Sequence, residues 1–126
     1  ADYEVRHQDL PSNFALKVHA LLCRPYLKGR DWFDFSWYVA KHVPMNLPLL
    51  AAALQQAGPW QGKLDKNYDG EWLVDTLNDK ISSIDWSAAA NDVARFLRPT
   101  ETKSLSLWSE RFFHAKVSQL ARDGIK

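Results

Sequence analysis

Asp31 and Asp34 stand three residues apart in YLKGRDWFDFSWY, residues 26–38, among aromatic rings and directly after Lys28 and Arg30. A run this apolar belongs in an interior, where an acid is costly unless a cation or a metal ion compensates it. Lys17 and Arg24, seven residues apart, are expected to project from one face of the preceding helix. Four cations and two carboxylates would then converge at the mouth of a helical hairpin. Such a cluster suits phosphate chemistry: lysine is a compact point charge, arginine grips phosphate with two parallel N–H groups, and a carboxylate can orient or deprotonate a hydroxyl. The structural alternative is that Asp31 caps its helix while Asp34 pairs with a basic neighbour and holds the hairpin's angle.

Helices must position these residues. Ser12 is expected to cap a first helix whose face carries Phe14, Val18, Leu21 and Leu22, interrupted at Pro25. Residues 26–30 form a tight loop, and a loop that short makes the flanking helices antiparallel neighbours. The second helix spans residues 31–41 and ends before Pro44; its apolar residues fall on more than one face, so it is central. A third helix is punctuated by Asn46, Pro48 and Gly58-Pro59. Further helices are expected over residues 70–84, 86–97 and 105–122, the fifth burying Val93, Phe96 and Leu97. The fold class is mainly α: one helical domain over residues 1–126 with five or six helices, and a strand at "YEVR" near the N-terminus.

Other motifs carry less. DKNYDG, residues 65–70, matches the first half of an EF-hand loop, but the twelfth position is Thr76 and not the bidentate glutamate. A polar turn with Asp69 capping the next helix accounts for it. His19 and Cys23 are one turn apart, yet no further ligand is near them in sequence, and Cys23 reads as a small buried hydrophobe. The mildly basic last helix, with Arg111, His114, Lys116, Arg122 and Lys126, reads as a solvated face.

Bulk properties bound the function. Apolar residues make up 46% of the 126, enough for a packed core. The net charge of +1 provides no global attraction for nucleic acid, so any such interaction must be local. A single cysteine, no signal-peptide pattern and no apolar run near the ~20 residues of a membrane span point to the cytoplasm.

The stretch ALKVHALLCRPYLKGRDWFDFSWYV, residues 15–39, resembles the downstream motif of the AbiEii/AbiGii-type nucleotidyltransferase toxins of bacterial abortive-infection and toxin–antitoxin systems. That motif places a lysine and an arginine on one helix, then a short basic loop and R-D-x-x-D. Lys17, Ala20, Arg24, Arg30, Asp31 and Asp34 stand at those positions, and ISSIDWSAAANDVARFL, residues 81–97, is similar to the C-terminal part of such proteins. The family's glycine-rich turn and metal-binding acidic pair do not occur here. The resemblance therefore implies the C-terminal half of a nucleotidyltransferase, partnered by an upstream core and inactive alone. It implies Lys17, Asp31 and Asp34 as catalytic residues, and Arg24, Lys28 and Arg30 as nucleotide- and phosphate-binding residues. Asp31 would orient a hydroxyl, act as a base or fix Lys17. The implied substrate is a nucleoside triphosphate, with Mg2+ held mainly by the upstream half and no metal ligand in this chain. Transfer RNA or another RNA as acceptor, and a cognate antitoxin, are the further partners implied; no membrane is. The competing expectations are a non-catalytic helical module that docks RNA or protein through the basic loop, and a purely structural domain.

Overall fold

Four short polar side chains set where helices begin. Asn46 Oδ1 accepts the Leu49 N–H at 3.1 Å, Asp69 Oδ1 that of Trp72 at 2.8 Å, Asp85 Oδ1 that of Ala88 at 3.1 Å and Ser109 Oγ that of Phe112 at 3.0 Å. The computed structural model describes residues 9–126, and the strand expected at "YEVR" lies outside them. The helices are α1 (Leu10–Cys23), α2 (Gly29–Ala40), α3 (Leu47–Gln56), α4 (Gly70–Ser82), α5 (Trp86–Ala94), α6 (Pro99–Thr102), a 3-10 turn (Lys103–Leu107) and α7 (Glu110–Asp123). Among the described residues there is no sheet; Met45 and Ile125 form one isolated parallel bridge.

Several expected boundaries move, each for a local reason. α1 opens at Leu10 with Asp9 at its cap position and Pro11 in its first turn, so Ser12 lies inside the helix and donates to Asp9 Oδ2 instead of capping. α2 starts two residues earlier than expected, at Gly29. α5 ends at Ala94, and Phe96 is 65% exposed and not buried. The expected last helix loses its first turn, because Ser109 caps a new helix after the 3-10 turn.

α2 lies at the centre, packed on α1, α5 and α7. Trp32 meets the rings of Trp86 and Phe113 edge-on at centroid distances of 5.2 and 5.5 Å, while Trp86 stacks on Phe113 at 4.1 Å. The Trp86 indole N–H donates to the Ile81 carbonyl, so its polar atom is satisfied inside this core. Phe35 continues this cluster from Trp32 to α1, where Phe14 tilts against it and stacks on Tyr38 at 4.8 Å. The C-terminus returns to this frame: Met45 N–H donates to the Gly124 carbonyl and Lys126 N–H to the Met45 carbonyl.

Candidate functional site

Gly29 decides how closely α2 meets α5. A Cβ on Gly29 would sit 2.2 Å from the Ala89 backbone oxygen, so only glycine permits this approach. The Gly29 N–H donates to Asp92 Oδ2 at 2.8 Å, which gives the N-terminus of α2 a cap from another helix. Lys28 occupies the cap position itself and its side chain supplies no hydrogen bond; nor does Asp31 cap this helix. The structural reading of Asp31 as a cap is thereby replaced.

Asp31 is instead the one buried charged residue among the described residues, 6% exposed. Arg24 grips it with both sides of its fork: Nε donates to Oδ2 at 2.7 Å and Nη2 to Oδ1 at 3.3 Å. Arg24 is the last residue held by α1: its N–H still donates to the Ala20 carbonyl, so its side chain leaves from the helix, and only the chain after it turns extended. Lys17 and Arg24, seven residues apart, both reach across to α2, where their carboxylates stand one turn apart, as a shared helix face requires. Arg24 Nη1 also lies 3.0 Å from the Tyr26 hydroxyl, and its guanidinium stands over the Tyr26 ring. The bond to Asp31, then that to Tyr26, raises the Arg24 pKa further. Three of its five N–H groups are engaged, which leaves two for a ligand.

Asp34, one turn on, collects two of the other three cations. Lys17 Nζ lies 3.1 Å from Oδ2 and Arg30 Nε 3.2 Å from Oδ1. Both cations are about half exposed, whereas Asp34 is largely covered. The hairpin thus carries two separate pairs of partners, Arg24 with Asp31 and Lys17 plus Arg30 with Asp34. Lys17 does not contact Asp31.

Beside the Arg24–Asp31 pair is a cleft of about 200 Å³. Its near wall is the α1–α2 loop and start of α2, with Tyr26, Lys28, Asp31 and Trp32; its far wall is the last turn of α4 and the α4–α5 turn, with Lys80, Ser83 and Asp85. Sequence reasoning missed the far wall, since nothing local links residues 80–85 to a motif fifty residues earlier. It also missed Asp92, for which a signal existed: the small-residue face at Ala88–Ala90 marks a place where another backbone comes close.

Asp31 and Asp34 are not free to hold a magnesium ion in this arrangement. Both oxygens of Asp31 and both of Asp34 already face cations, and no three acidic, histidine or cysteine side chains among the described residues cluster as ligands. His19 Nε2 and Cys23 Sγ both approach the Ala57 carbonyl at the end of α3. Burial pushes the Cys23 thiol above its ordinary pKa, and the Lys80 ammonium works against that rise. At DKNYDG, Asp65 accepts the Asn67 N–H and Asp69 caps α4, a polar turn. No described helix is long and apolar enough to cross a membrane.

Comparison with known proteins adds one finding. The family model described as nucleotidyl transferase AbiEii toxin, type IV toxin–antitoxin system, matches residues 1–115. No significant match was found among curated proteins or among solved structures.

Proposed function

Because this chain belongs to the AbiEii nucleotidyl transferase toxin family, we propose that it forms the cationic side of a site that transfers a nucleotide from a nucleoside triphosphate to an acceptor, with RNA as the acceptor class. In such a transfer a hydroxyl attacks the α-phosphate and pyrophosphate leaves, so charge accumulates on the departing oxygens and catalysis is mostly positioning plus cation placement. The observation that carries this reading is the two-point Arg24–Asp31 pair beside the cleft. Asp31 and Tyr26 hold the guanidinium in place, and its remaining N–H groups bind phosphate in a fixed direction. Lys28 is exposed on the cleft wall, and Lys17 and Arg30, both half exposed, add positive charge on the same hairpin through their pairing with Asp34. Magnesium, when bound, would neutralise the triphosphate; its ligands belong to an upstream core and not to Asp31 or Asp34. A cognate antitoxin is the expected partner of a toxin of this class.

The test incubates the protein carrying both the core and this domain with labelled nucleotides and total RNA. Labelled RNA is the expected product, and no labelled product with any of the four nucleotides would overturn the reading. The 126-residue chain alone should give a helical circular dichroism spectrum and no transfer. A second reading, a helical module that docks RNA or protein without chemistry, draws on the Lys17–Asp34–Arg30 cluster, which is satisfied at the surface without any ligand. An uninterrupted upstream coding segment with a glycine-rich turn and an acidic pair favours the enzyme; a stop codon there favours the module.

A further inference from the structure

Lys80 belongs to no motif at the hairpin, yet the fold sets it in the same cleft as Lys28, on the opposite wall. Among the described residues neither lysine has a carboxylate partner. Two carboxylates line the cleft as well: Asp31 is neutralised by Arg24, while Asp85 caps α5 through Oδ1 and keeps its charge, so the described lining carries two unpaired cations against one anion. Ser83 donates its hydroxyl proton to the Lys80 carbonyl, which leaves its oxygen as an acceptor only. Leu21, Trp32 and Ile84 supply the apolar part of the lining. An ammonium group beside low-dielectric walls attracts an anion more strongly than one in open water.

We propose that this cleft is a diphosphate site, in which Lys28 and Lys80 clamp the anion from opposite walls. The small volume suits a compact anion and not a polynucleotide track. The inference rests on the transferase reading only for the origin of the diphosphate, the β- and γ-phosphates of the donor nucleotide and the pyrophosphate they become. On that reading the α4–α5 turn, and not only the hairpin, holds the leaving group.

The probe is sodium pyrophosphate titrated into the 126-residue chain by calorimetry at low ionic strength. One saturable site is expected, weakened on the order of tenfold or more by either Lys28→Gln or Lys80→Gln, since each removes one charge-assisted contact. Lys63→Gln, away from the cleft, should bind as the wild type does. Absence of saturable binding, or a Lys80→Gln variant with unchanged affinity, overturns the proposal. So does a short RNA that displaces pyrophosphate at comparable phosphate concentration, because the site would then be a nucleic-acid track. Transfer assays separate the two readings. Lysine-dependent pyrophosphate binding without transfer by the core-containing protein retains the site and refutes the enzyme. Transfer by Lys80→Gln with unchanged KM and kcat retains the enzyme and refutes the site.

Discussion

Asp31 and Arg24 behave as one unit, and substitutions at either must be read through the other. Asparagine at position 31 keeps one acceptor but turns an N–H toward the guanidinium, so one of the two bonds becomes a repulsion. Asp31→Asn should therefore cost about 1–3 kcal/mol, more than a helix cap would suggest, and denaturant unfolding will measure it. In a double-mutant cycle with Arg24→Gln, the two losses should fall well short of adding. Lys17 contrasts with this pair. Its ammonium is about half exposed, so Lys17→Ala should change stability by no more than about 0.5 kcal/mol. In the core-containing protein the same change should slow transfer roughly a hundredfold, and an unchanged rate in a folded variant would remove Lys17 from the chemistry. Cys23 reports on the far wall. Lys80→Gln removes the ammonium that opposes the burial-driven rise of the thiol pKa, so alkylation of Cys23 at neutral pH should become slower.

At the scale of elements, the α2–α5 contact positions the site. Gly29→Ala would drive a methyl group into the Ala89 carbonyl, and backbone cannot yield as a side-chain end can. The expected loss is about 1–3 kcal/mol or more, visible as a lowered Tm. Asp92→Ala, which leaves the Gly29 N–H without its acceptor, should cost about 0.5–2 kcal/mol. The α4–α7 contact has a pH signature. Glu110 bonds to His114 and to the Ser82 hydroxyl, and these bonds, that of His114 first, hold its carboxyl below the ordinary 4.5. Its contribution is present above about pH 4.5 and is lost as the pH falls through the lower folded value. Glu110→Gln should flatten the acid side of the stability profile in that window. Much of this level was legible in the sequence, because Asn46, Asp69 and the Gly58-Pro59 pair are local signals that act within a few residues. Ser12 misled because the Asp9-Leu10-Pro11 run offered an earlier start, and residues 98–109 misled because Ser109 interrupts an otherwise helical pattern. The ion-pair partners were not legible. Lys17, Arg24, Arg30, Asp31 and Asp34 were foreseeable as a cluster, but which cation meets which carboxylate is set by how α1 packs on α2, a tertiary relation with no periodicity to announce it.

At the scale of the molecule, one aromatic core joins the hairpin to the rest. Trp32, one residue after Asp31, is locked among Trp86 and Phe113, so the site inherits its rigidity from α5 and α7. Phe113→Ala should cost about 3–5 kcal/mol and loosen the cleft along with the core, which hydrogen exchange on α2 amides will show. The whole account rests on Asp31 serving phosphate chemistry through Arg24 and not merely tying two helices together. The most direct test is the rate of labelled-nucleotide transfer to RNA by the core-containing Asp31→Asn protein, at a temperature where circular dichroism shows it fully folded. The account predicts a rate lowered at least a hundredfold, with Asp34→Asn retaining measurable transfer beside it. A folded Asp31→Asn protein that transfers at the wild-type rate would contradict it.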